Sequence, residues 1–137
     1  MIVVDASALT DFLLGRPSAV AAIESAFEAR EGEPLHAPEL VEPETLNALR
    51  RLANAGAVDA RRATEAVANL GRMRMVRYPH APLRQRVWEL RHELSAYDAT
   101  YLALAEGLGA ALLLTADRGL AGGAIRRLGS GRVQHVA

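Results

Sequence analysis

Four acidic residues stand against apolar runs that should be core. Asp5 follows Ile2-Val3-Val4, and Glu44 opens Glu44-Thr45-Leu46-Asn47-Ala48-Leu49. Asp98 lies in Tyr97-Asp98-Ala99-Thr100-Tyr101-Leu102, and Asp117 closes Leu112-Leu113-Leu114-Thr115-Ala116-Asp117. They are far apart in the chain, so only a fold can gather them. Gathered carboxylates repel and raise one another's pKa, and a bound divalent ion removes that penalty. There is no cysteine and no H-x-x-x-H pair among the histidines. An all-oxygen donor set of this kind selects magnesium or manganese over zinc. One or two such ions lower the pKa of a bound water and stabilise the leaving oxygen of a phosphodiester. The expected chemistry is hydrolysis of a phosphate backbone.

Each acid also has a structural explanation. Asp5 ends a strand and precedes a helix, where an aspartate caps free N–H groups, although Ser7 can serve as the cap instead. Glu44 lies in a first helical turn, favoured there by the helix dipole. At about 100° per residue, Asn47 and Arg51 share its face, and Asn47 is placed to orient it. Glu42 points nearly opposite, toward solvent. Pro43 removes an N–H, so the helix starts late or bends there. Ser95-x-x-Asp98 matches a capping box, yet Tyr101, Leu102 and Ala105 share the face of Asp98. Thr115 is a good N-cap and Asp117 a favourable first-turn acid. The four taken together outweigh these separate explanations.

The elements that must position the acids alternate. Short apolar runs at 1–4, 35–37, 73–78, 110–114 and 133–136 read as strands. Ala/Leu-rich stretches between them read as helices: 6–14, 18–29, a long one to about 55, one capped by Asp59, 82–94, and one capped by Ser95. A short helix follows Thr115, and the Gly-rich segment 119–131 reads as a mobile connection. Strands separated by helical crossovers imply a central parallel β-sheet flanked by helices in three α/β/α layers. Ligands in such folds bind beyond the carboxyl ends of the strands, which is where Asp5 and Asp117 fall.

The length, 137 residues, suits one domain spanning 1–137 with its own core. Half the residues are hydrophobic, which excludes global disorder. The absence of cysteine excludes a disulfide framework and fits a reducing cytoplasm. No stretch reads as a targeting peptide or a membrane span. Net charge is zero and all 16 basic residues are arginine. Arginine grips phosphate in a bidentate fork, and the arginines from 50 to 86 are candidates for that contact. There is no Walker motif, no dinucleotide turn and no nucleophile elbow. His36, His80, His92 and His135 read as surface or satisfied core residues.

Four blocks remain: Val3-Val4-Asp5-Ala6-Ser7-Ala8; Ala37-Pro38-Glu39-Leu40 leading to Glu44-x-x-Asn47-Ala48-Leu49; Tyr97-Asp98-Ala99-x-Tyr101-Leu102-Ala103-Leu104-Ala105; and Leu114-Thr115-Ala116-Asp117-Arg118-Gly119-Leu120. In order and spacing they resemble the motifs of PIN-domain ribonucleases, and the size resembles the VapC-type toxins of bacterial toxin–antitoxin pairs. The resemblance implies a Mg2+- or Mn2+-dependent endoribonuclease. Asp5 and Asp98 would be its surest metal ligands, joined by Glu44 and then Asp117. Ser7 and Thr115 would support the site by hydrogen bonds, and Asn47 would orient Glu44. Such toxins usually form homodimers and are neutralised by a small antitoxin protein that covers the active-site groove. Two other readings share the same residues: a housekeeping RNA-processing nuclease without an antitoxin, and a protein-binding module whose acids are only caps.

Overall fold

A run of three apolar residues forms β1 (Ile2–Val4), buried along its whole length, as a strand covered on both faces must be. The structure, a computed structural model, describes residues 1–137. On one side of β1 lies β2 (Leu35–Pro38), with Val3 opposite His36, followed by β3 (Met75–Tyr78) at the edge. On the other side lies β4 (Leu112–Thr115), with Val4 opposite Leu114, followed by β5 (Val133–His135). The order is β3-β2-β1-β4-β5, and every pairing is parallel. The chain thus builds outward from β1 in one direction, then returns to build in the other. The reversal falls between β1 and β4, and the carboxyl ends of those two strands open a crevice there.

Helices cover both faces, giving the three α/β/α layers that the alternation implies. One layer holds α1 (Ala6–Leu13), α2 (Pro17–Ala29), α3 (Val41–Asn54) and α4 (Ala60–Arg72), with α1 at its centre. On the other face α6 (Ala96–Leu108) packs against β1, β2 and β4, flanked by α5 (Arg84–Glu89) and α7 (Arg118–Leu128). Leu9, Ile23, Leu49, Leu102, Leu113 and Leu120 are fully buried in one connected apolar core. No helix is long and apolar enough to cross a membrane.

Local expectations hold at most boundaries. Asp59 caps α4 by accepting the Arg61 N–H at 2.7 Å, and Gly109 ends α6 in the left-handed conformation, φ 58°. Pro43 neither delays nor displaces α3, which already begins at Val41. Within the first turn the N–H it lacks would have had no helical partner. Segment 82–94 is not one helix. A 3-10 turn at Ala81–Leu83 precedes α5, and beyond Glu89 the bonds tighten, Arg91 N–H to Trp88 C=O and Glu93 N–H to Leu90 C=O.

The Gly-rich segment is the clearest correction. Most of it is helix α7, not a mobile connection, and Leu120, Ala121, Gly123 and Ala124 are buried in it. Burial overrides the low helix propensity of glycine, and at Gly123 the missing side chain is what permits packing. A Cβ there would lie 2.8 Å from Leu94 Cδ2.

Candidate active site

Asp5 leaves the end of β1 and becomes the N-cap of α1. Its Oδ1 accepts the Ala8 N–H at 2.9 Å and the Ser7 hydroxyl at 2.7 Å. Its Oδ2 accepts the Thr115 hydroxyl at 2.5 Å. Thr115 is wholly buried at the end of β4, and its own oxygen accepts the Asp117 N–H at 2.9 Å. Ser7 likewise accepts the Ala116 N–H at 2.9 Å. These bonds tie the carboxyl ends of β1 and β4 together at the reversal point. Capping and site geometry are therefore one arrangement: Asp5 is the cap, and Ser7 supports it instead of replacing it. Burial pushes the Asp5 carboxyl up, and the bonds from Ala8, Thr115 and Ser7 oppose that push.

Asp117 caps α7, accepting the Leu120 N–H at 2.8 Å, while Thr115 serves Asp5 and is not the cap of that helix. Asp98 is carried on α6. The capping box is only half made: Ser95 Oγ accepts the Asp98 N–H at 3.2 Å, and the Ser95 N–H does not donate back to the Asp98 carboxylate. That carboxylate accepts no hydrogen bond from the protein. Partial burial, followed by repulsion from Asp117, Asp5 and Glu44, pushes it up to about 6. The three named neighbours are the other acids singled out by sequence, so the four are electrostatically one group.

Glu44 comes from the opposite layer, on α3. Its Oε1 accepts the hydroxyl of Tyr101 at 2.6 Å. Tyr101 is buried on α6, so this bond crosses from one helix layer to the other over the sheet edge. Asn47 does not orient Glu44. It is exposed and accepts Arg50 Nε at 3.0 Å. Helix periodicity identifies neighbours along α3 but is blind to a partner arriving from α6, which is why Tyr101 was missed in this role. Glu42 is not simply solvated either, because Arg77 from β3 pairs with it.

Asp5, Glu44, Asp98 and Asp117 line one cavity of about 190 Å³, together with Ser7, Tyr101 and Arg51. Thr115 stands behind Asp5, and Asn47 lies outside. The donors are hard oxygens, and the mutual repulsion centred on Asp98 is the kind a divalent cation relieves, so the residues fit magnesium or manganese in chemistry. They are not a ready-made cage: no group of three or more acidic or histidine side chains is arranged to hold a metal ion as it stands. Both oxygens of Asp5, one of Glu44 and one of Asp117 are engaged by protein donors. Each carboxylate oxygen has two lone pairs, so these bonds orient the acids without exhausting them. The histidines take no part. His36 is buried and bonded to the Tyr78 hydroxyl at 2.7 Å, and His80 accepts the Leu40 N–H at 2.9 Å.

Fold and site together define an α/β protein with an acidic cavity at the strand-reversal crevice of a five-stranded parallel sheet. The sequence matches the family model described as PIN domain over residues 2–124. It is 46% identical over 123 residues to Ribonuclease VapC9 of Mycobacterium tuberculosis, covering 85% of this chain and 86% of that protein. Among solved structures, PAE2754 from Pyrobaculum aerophilum superposes with a TM-score of 0.68 at 27% identity, covering 96% of this chain and 81% of that one. VapC20 of M. tuberculosis, described as a sarcin-ricin loop cleaving toxin, superposes with a TM-score of 0.64 at 23% identity, covering 89% and 94%, a likeness of fold. The chain belongs to the PIN-domain family and, within it, to the VapC-type proteins.

Proposed function

We propose that this chain is a Mg2+- or Mn2+-dependent endoribonuclease that acts as the toxin of a toxin–antitoxin pair. The observation that carries the reading is the convergence of carboxylates from four separate segments on one cavity, where burial and then their repulsion push Asp98 up to about 6. The names of the curated relatives support the substrate class, since VapC9 and VapC1 are both called ribonucleases.

Asp5, Asp98 and Glu44 would hold the ion, with Asp117 at the exposed rim. An ion held there would offset the charge of the phosphate and acidify a water. The chain's own groups do the rest. Ser7 and Thr115 donate to Asp5 and favour its ionised form against burial. Tyr101 fixes Glu44 across the crevice. Asp98, held by no hydrogen bond, is the carboxylate free to turn within the cavity. Acting on cellular RNA, the protein would work in the cytoplasm. A nuclease of this kind needs a neutralising partner, a small antitoxin protein that covers the cavity. A homodimer is the expected assembly, supported by large exposed aromatics at Trp88 and Tyr97.

The test is cleavage of structured RNA by purified protein. Cleavage with Mg2+ or Mn2+ is expected, abolished by EDTA and reduced to background in Asp5→Asn. Cleavage that persists in EDTA, or full activity of the variant, overturns the reading.

A further inference from the structure

A site built from four carboxylates faces a difficulty with any RNA. The strand brings a negative charge at every nucleotide, and the acids repel each one that no cation covers. Phosphates flanking the cleaved one therefore need positive charge from the protein. Of the arginines from 50 to 86, Arg51 alone lines the acidic cavity. It lies seven residues after Glu44 on α3, two turns along the same face.

Two features distinguish it. First, its guanidinium is free: it makes no hydrogen bond, and none of the salt bridges uses it, although carboxylates line the same cavity. By contrast Arg50, Arg72, Arg74, Arg77 and Arg86 are engaged by protein acceptors, and Arg61, Arg62 and Arg84, likewise without a bonded acceptor, line other hollows outside the acidic cavity. Second, Arg51 also lines a neighbouring cavity of about 360 Å³, which shares Ser7 and Ala48 with the acidic one and continues past Thr10, Leu52 and Arg16. Arg51 thus stands on the boundary of two adjoining hollows, one acidic and one whose other charges are the paired Arg16 and Asp11.

We infer that Arg51 is a substrate-binding residue that grips a phosphate adjacent to the cleaved one, and that the RNA strand runs across it from the acidic cavity into the neighbouring one. The inference rests on the nuclease reading given above and names a contact of that same site. An arginine fork matches two phosphate oxygens at once, where an ammonium supplies one point charge. The second cavity is lined by apolar Ala48 and Leu52 below Arg16, which pairs with Asp11 at 3.3 Å.

Arg50 gives an internal control, since it is the preceding residue and also exposed but turned away from both cavities toward Asn47. The experiment measures binding of a short labelled single-stranded RNA of mixed sequence by anisotropy, over a series of salt concentrations. An Asp98→Asn background prevents cleavage, and KM and kcat are measured separately on bulk bacterial RNA in the otherwise native protein. Arg51→Gln is expected to weaken binding about tenfold, raise KM more than it lowers kcat, and reduce the log–log salt slope by about 0.7, one single-strand phosphate contact. Arg51→Lys should fall between, and Arg50→Gln should match the parent. A merely structural role for Arg51 would leave the salt slope unmoved. Unchanged binding and slope in Arg51→Gln, or equal losses at Arg50 and Arg51, overturn the inference while leaving the nuclease reading intact. If the native protein neither binds nor cleaves RNA, the nuclease reading fails and this contact falls with it.

Discussion

Asp98 shows most directly what the crevice does to a side chain. Its carboxyl is pushed up to about 6 by burial and by three neighbouring acids, against an ordinary aspartate value of about 3.9. In that interval the folded protein holds a proton that the unfolded chain has released. The proton on Asp98 therefore stabilises the fold fully below about pH 4, and this contribution is lost as pH rises through about 6. In EDTA, Asp98→Asn should be more heat-stable than the native protein at pH 7, with the gap closing toward pH 4. Circular dichroism melts at stepped pH decide it, and parallel curves for the two proteins would refute it. The identity of the acids was legible from sequence because each interrupts an apolar run. Ser7 and Thr115, both expected to support the site, do bond Asp5, although the distant Thr115 is expected only through the resemblance. Local spacing gives Glu44 the wrong partner in Asn47 and misses Tyr101, which arrives from another layer. Arg51 is likewise one of several equivalent arginines in the sequence, and only the cavities set it apart.

At the scale of elements, α7 carries the most informative disagreement between pattern and structure. Glycines punctuate loops when nothing else holds the backbone, and the sequence around Gly122-Gly123 has that appearance. Tertiary burial decides otherwise, and the two adjacent glycines are not equivalent. A Cβ on Gly123 would press within 2.8 Å of Leu94, while one on Gly122 meets only the Arg126 guanidinium at 3.7 Å. Gly122→Ala should stabilise the protein by up to about 1 kcal/mol through helix propensity. Gly123→Val should destabilise it by about 1–3 kcal/mol through overpacking. Urea denaturation of both variants measures the contrast, and shifts of the same sign would contradict it. The strands and the other helices were legible because their periodicity and caps agreed. The break after α5 was not, since Leu90 and Leu94 keep a helical spacing although the backbone between them tightens.

At the scale of the whole molecule, the layer order puts the acidic crevice and the exposed aromatics on neighbouring surfaces of α6. Ala96 and Thr100 line the hollow beside Trp88, and Asp98 and Tyr101 line the acidic cavity. Trp88 is 63% exposed and Tyr97 62%, with the Arg91 guanidinium 4.5 Å above the Trp88 ring. Large aromatics of this kind dominate interface energies. If they seat a second copy, Trp88→Ala should weaken self-association by about 2 kcal/mol, roughly thirtyfold in dissociation constant. Sedimentation equilibrium reads this directly, and an unchanged mass distribution across concentration would exclude Trp88 from the interface. The parallel sheet was legible from the alternation alone. Its order was not, because nothing in the chain states on which side of β1 each later strand will land.

That order has a consequence in time. A ribosome making this chain completes β1, β2 and β3 before it reaches residue 79, and by then only Asp5 and Glu44 have been synthesised. Asp98 follows on α6, and Thr115 and Asp117 come last, with the strand that docks on the still-open side of β1. Domains fold as units once enough chain has emerged, so the nascent chain remains incapable of forming the four-acid cavity for most of its synthesis. The four carboxylates meet only once the segment carrying Asp117 has joined β4 to β1, so a chain stopped short of that point has no such cavity.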